Sequence, residues 1–159
     1  MQMNDQVARV IYRERLTPSL WMLVTIALVG PMVSLVFVPL NTSVALVLGG
    51  AVSLVLVVMS IVLSPVVSVT GSVLRAGRAH IDAQWLGEPE QFTGQDARDK
   101  RTRDIARDGW HLFRGGIDGV VVVPVTDPAD PMNSWTVTTR TPDRLSAAIR
   151  SARRISAAE

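Results

Sequence analysis

The sequence predicts an α+β protein: a two-helix transmembrane hairpin followed by a small, mainly antiparallel β domain that a C-terminal helix closes. Three observations predict it. Between positions 16 and 74 there is no Asp, Glu, Lys or Arg, and this stretch holds two apolar runs long enough to cross a bilayer. Behind it come short β-branched runs bounded by Gly, Pro and Asp. Near the C-terminus lies one amphipathic run with helix-start residues. Three segments follow: residues 1–17 as an N-terminal segment, 18–64 as the hairpin with spans at about 18–40 and 43–64, and 65–159 as the β-rich domain.

The N-terminal segment 8–16, "ARVIYRERL", reads as a strand or as a helix lying on a membrane surface. Its β-branched and aromatic residues favour the strand. Residues 18–40 and 43–63 are apolar around the whole helix. A helix without a wet face needs lipid or a large protein around it, and 159 residues cannot supply the large protein. "PLNTS", residues 39–43, then reads as the hairpin turn. Pro39 ends the first helix, Asn41 forms the turn and Thr42 or Ser43 caps the second. Pro31 should kink the first span. Gly49, Gly50 and Ser53 offer a small face for close helix packing.

Arg9, Arg13 and Arg15 precede the first span, Arg75 and Arg78 follow the second, and the connecting turn is uncharged. The positive-inside rule places both termini in the cytoplasm. These arginines and Trp21 are the expected membrane-interface residues, with membrane lipids as their partners.

Strand signals occupy residues 66–70, 72–77, 79–87, 109–116, 119–127 and 134–140. Gly71 and a Gly-Arg pair supply turns, and Gly115, Gly116 and Gly119 read as hairpin punctuation. Residues 93–108 read as an exposed helix with Asp96–Lys100 and Asp99–Arg103 pairs. Residues 141–154 read as a buried-face helix: Thr141 caps, Pro142 opens the first turn, and Leu145, Ala148, Ile149 and Ala152 share one face.

The motif "YRERL" at 12–16, "LRAGRAHI" at 74–81 with "LGEPE" at 86–90, and "VTDPADPMNSWTVTTRTPDRL" at 125–145 cover nearly the whole chain. In them the chain resembles an actinobacterial family of two-span membrane proteins of unknown function. The domain behind the hairpin is similar to bacterial pleckstrin-homology-like (PH-like) domains. The resemblance implies a location and a fold, and no reaction.

Composition narrows the function. A pI of about 9.9 suggests nucleic-acid binding, but the formal net charge is only +2. With one Lys, one Tyr and no Cys, a small Arg excess drives the pI. Asp and Arg alternate without a basic stripe, so no nucleic-acid partner is expected. Without cysteine there is no disulfide and no Cys-ligated metal. His80 and His111 lack ligand spacing, and neither a metal nor another cofactor is expected. Asp127 and Asp130 in "TDPADP" have acid–base or cation-binding chemistry available. Each precedes a proline, which favours a rigid loop. With Trp135 they form a candidate functional loop. The spans carry no ionisable residue, which disfavours a transporter or channel. The leading expectation is a non-enzymatic membrane protein that presents an interaction domain to another membrane protein or complex. Binding of a lipid head group or small ligand is the alternative, and a membrane-bound enzyme using Asp127, Asp130 or His80 is the third reading.

Overall fold

The computed structural model describes residues 10–158, which divide into two compact units. One is residues 17–64; the other combines the chain up to Leu16 with everything from Pro65 onward.

The 17–64 unit is a helical hairpin. Its first arm is two helices, α1 (Leu20–Ala27) and α2 (Val29–Phe37), and its second is α3 (Thr42–Val62). Ser19 starts α1 by accepting a hydrogen bond from the Met22 amide, at 3.3 Å. The break between α1 and α2 lies where Pro31 requires it. A proline has no amide proton, so the Ala27 carbonyl four residues earlier loses its helical donor. Ser53 of α3 supplies the replacement, its hydroxyl donating to that carbonyl at 2.6 Å. A neighbouring helix thus satisfies the freed backbone group, as an apolar solvent demands.

The packing is small inside and large outside. The buried residues of α2 and α3 are Gly30, Ser34, Ala45 and Gly49. A methyl group added at Gly30 would collide with Ser53 Oγ and the Gly49 carbonyl, and one at Gly49 with Ser34 Oγ and the Gly30 carbonyl. Ser34 also donates to the Ala45 carbonyl, at 3.0 Å. Small residues and hydroxyl bridges are how helices associate where lipid removes the hydrophobic drive between them. Gly50 has nothing within 4 Å and is no part of this contact. The large side chains face outward; Leu20, Trp21 and Leu40 are each at least 80% exposed. Residues 20–37 and 42–62 are long and apolar enough to cross a membrane. Asn41 caps α3, its side chain accepting from the Val44 amide at 3.1 Å. The cap therefore falls one residue before the expected Thr42 or Ser43.

The other unit carries eight strands among the described residues, in two four-stranded sheets. The first runs in the order β1 (Val10–Arg15), β2 (Val66–Thr70), β3 (Val73–Ala76), β4 (Ala79–Asp82), all antiparallel. The strand reading of the N-terminal segment is the one observed. Gly71 and Gly77, at φ 56° and 63°, open the two-residue turns on either side of β3. Leu16 donates its amide to the Pro65 carbonyl at 2.9 Å. Strands β1 and β2 therefore pair up to the points where the chain departs and returns.

The second sheet runs β5 (Glu90–Phe92), β7 (Gly119–Pro124), β8 (Ser134–Thr139), β6 (Gly109–Leu112). The glycines at 115–119 do not make a hairpin. Strand β8 lies between β6 and β7, and β6 pairs with it in parallel. The connection 113–118 steps over the end of β8. Two strand spacings are roughly 10 Å, well within the reach of six residues. Thr138 Oγ1 ties the step down by accepting from the Arg114 amide and donating to the Leu112 carbonyl.

Two further expectations shift. The strand signal at 79–87 ends at Asp82, and a 3₁₀ turn (Ala83–Trp85) follows. The exposed helix α4 spans only Gly94–Thr102; Asp99 pairs with Arg103 as expected, while Lys100 pairs with Asp104. Helix α5 (Pro142–Ser156) buries Leu145, Ala148, Ile149 and Ala152, the face read from the sequence. These join Val67, Val69, Leu74, Val121, Val123 and Trp135 in one core. The α+β class holds.

Candidate functional site

The register of the first sheet gathers the arginines that flank the hairpin in sequence. Arg13 pairs with Ser68, Ser68 with Arg75, and Arg75 with His80, so four residues form one row across four strands. Side chains alternate along a strand. Val67, Val69, Leu74, Ala76 and Ile81 fill the core, which leaves this row on the outer face. Arg15, opposite Val66, lies two positions along on the same face. Arg78 occupies the β3–β4 turn. Arg13, Arg15, Arg75, Arg78 and His80 are all exposed. A shallow depression of about 370 Å³ runs among Val10, Arg13, Val66, Ser68, Thr70 and Arg75. Arg9 lies outside the described residues. Trp21 belongs to α1 and is 82% exposed.

The other side of β1 carries a polar network that sequence reading did not anticipate. Glu14 Oε2 accepts from the Tyr12 hydroxyl and the Thr139 hydroxyl, both at 2.5 Å. Its Oε1 accepts from the Arg140 amide at 3.0 Å and lies 3.6 Å from the Arg140 guanidinium. With both protons committed to Glu14, Tyr12 must accept from Thr141, 2.9 Å away, while Thr139 accepts from the Thr141 amide. Burial first, then the hydrogen bond to Glu14, raises the Tyr12 pKa above its ordinary value. Thr141 is the N-cap residue of α5, but its side chain makes no capping bond; its hydroxyl serves this network instead. The network fastens β1 to the β8–α5 connection and joins two of the sequence motifs, "YRERL" and "TRTPDRL". Beside it, β1 and α5 border a groove of about 670 Å³ whose lining includes Ile11, Arg13, Arg140, Arg144, Ala148 and Ser151.

In "TDPADP", Asp127 Oδ1 accepts from the Ala129 amide and Asp130 Oδ1 from the Met132 amide, each at 2.9 Å. Both are side chains closing their own turns. Asn keeps the same acceptor oxygen. Asp127→Asn and Asp130→Asn should each cost no more than about 0.5–2 kcal/mol, the scale of a lost cap. Thermal unfolding of the purified variants measures this, and complementation of a deletion strain tests the role. Native stability with complete loss of complementation at both sites would make the carboxylates functional groups rather than turn formers. Trp135 is 4% exposed and packs on Trp110 with ring centroids 4.5 Å apart, so it supports the core beneath this loop. Trp85, expected in a strand, is 37% exposed in the 3₁₀ turn.

Glu88 lies between Arg150 and Arg153 of α5 and pairs with both. The Arg150 hydrogen bond is the main cause of its lowered pKa.

The family described as "Protein of unknown function (DUF3093)" matches residues 11–149, and the chain belongs to it. No curated protein and no solved structure matches the chain.

Proposed function

We propose that this DUF3093 member is a non-enzymatic integral membrane protein that holds a small interaction domain at the cytoplasmic membrane face, as an accessory or adaptor component of a membrane assembly. The observation that carries the reading is the Leu16–Pro65 hydrogen bond. The apolar hairpin is an insertion between two paired strands of the β unit, so the unit is closed on itself and tethered at two adjacent points. That construction suits an anchor, whereas a pump or channel needs polar groups along its spans. Two sheets closed by a C-terminal helix support a PH-like identity for the β unit. The use of Arg almost to the exclusion of Lys supports an actinobacterial source. The groove between β1 and α5 is the part best suited to a protein partner. Its apolar lining includes Ile11 and Ala148, and Arg144 beside them makes no ion pair among the described residues.

Topology tests the location. Reporter fusions at residue 5 and residue 159 should both report cytoplasm, and one at Thr42 the exterior, as the arginine distribution requires. An exterior C-terminus overturns the reading. Affinity capture from mild detergent with quantitative proteomics then tests the role: a stoichiometric membrane partner supports the adaptor, while co-purified lipid without protein favours a head-group-binding protein.

A further inference from the structure

We infer that the outer face of the β1–β2–β3–β4 sheet docks on an anionic lipid surface, with Arg13, Arg75 and His80 forming the contact row and Arg15 and Arg78 beside it. The inference rests on the cytoplasmic, membrane-anchored reading and adds a definite surface to it.

Register is the first support. In the sequence these residues are spread from position 13 to position 80, and strand pairing brings them to one face. Arg13 and Arg75 are two strands apart, roughly 10 Å. Charge is the second. Neither Arg13 nor Arg75 makes an ion pair among the described residues. The carboxylate nearest in sequence to Arg13, that of Glu14, is turned to the opposite side of β1 and occupied by Tyr12, Thr139 and Arg140. Asp82, on the same face, is at the far end, opposite Val73. The basic end is the one where the chain leaves for and returns from the apolar segment, at Leu16 and Pro65. Shape is the third. The depression on this face, among Val10, Arg13, Ser68 and Arg75, is shallow and open, a shape suited to a surface rather than to an enclosed small molecule. A flat face that carries Arg13 and Arg75 without ion pairs among the described residues, joined through Leu16 and Pro65 to an apolar segment, matches the negative potential of an anionic leaflet, which acts over about a Debye length.

The chain has no cysteine, so Ser68→Cys gives a single labelling position between Arg13 and Arg75. The full chain, carrying an environment-sensitive nitrobenzoxadiazole label there, is reconstituted in nanodiscs of phosphatidylcholine alone or with added phosphatidylglycerol. The label should shift to the blue and become protected from aqueous iodide only in the anionic discs. High salt and the double change Arg13→Glu with Arg75→Glu should both abolish the shift, and Arg13→Gln with Arg75→Gln should weaken it. A label at Gln91→Cys, on an exposed residue of β5 in the other sheet, should not respond. Identical Ser68 spectra in the two discs, or a shift that survives charge reversal, overturns the inference. So does a shift in neutral discs on adding soluble polyglutamate, which would assign the face to an acidic protein. Failure of the anchored reading shows separately, as an exterior C-terminus in the reporter fusions whatever this label reports.

Discussion

Ile149→Asp should unfold the β unit while leaving the protein in the membrane. Ile149 is 1% exposed on α5 and sits in the core with Val67, Val69, Leu74 and Trp135. The change removes a branched aliphatic side chain, worth about 2–5 kcal/mol in large-to-small core substitutions. It also places a carboxylate among these apolar side chains, and burying a polar group without a partner costs several kcal/mol more. A domain of this size has about 5–15 kcal/mol in total, so the two losses together exhaust most of it. Ile155→Asp on the same helix is the control. Ile155 is 41% exposed, and a surface change away from a packed contact stays within about 0.5 kcal/mol. Limited proteolysis of membrane fractions reads the difference. The Ile149 variant should lose its resistant β-unit fragment and the Ile155 variant should keep it. Equal resistance in both would show that the α5 face does not support the core and would make that face a candidate partner surface.

The helix face behind that expectation was legible because it is local. Leu145, Ala148, Ile149 and Ala152 recur at helical spacing, and burial followed the spacing. The hairpin was legible for the same reason: two uncharged runs, a proline-asparagine turn and small residues within one short segment. What sequence reading missed lies between segments. Glu14 meets Thr139 across 125 positions, and neither residue type nor spacing announces the meeting. The one available signal is that "YRERL" and "TRTPDRL" both belong to the segments that carry the family resemblance. Strand signals at 109–116 and 119–127 look like a hairpin because glycines separate them. Pairing order depends on whether a third strand fits between them, and β8 does. Ser53 read correctly as a small packing residue, but its bond to Ala27 depends on which carbonyl Pro31 orphans and which helix face lies opposite. Local chemistry also yields to tertiary demand: the Thr141 hydroxyl leaves its own helix end for Tyr12, and the Asp127 and Asp130 carboxylates are spent on their own turns.

Replacing residues 17–64 with a short Gly-Ser-Asn linker should convert the protein from membrane-bound to fully soluble and leave the β unit folded. The expectation rests on how the hairpin is inserted. Leu16 and Pro65 are already hydrogen-bonded neighbours at 2.9 Å, so a few residues span the gap without moving either strand. Leu16 is itself fully buried in the core of the β unit, so β1 must be retained; a chain that begins at Pro65 would lose Leu16, Tyr12 and the Glu14 network together. The linker costs little, because loop closure depends only logarithmically on length and a shorter loop closes more cheaply. The replaced residues include the exposed apolar side chains of α1, α2 and α3, the largest aggregation hazard the chain would carry in water. The linked variant should therefore move from the membrane pellet to the supernatant and show a cooperative thermal transition. Ile149→Asp made in the linked variant should abolish that transition, which separates a folded soluble unit from one that is merely dispersed. A linked variant that aggregates or unfolds non-cooperatively, while the full chain stays protease-resistant in membranes, would show that the β unit depends on its hairpin for stability and is not a separable module on an anchor.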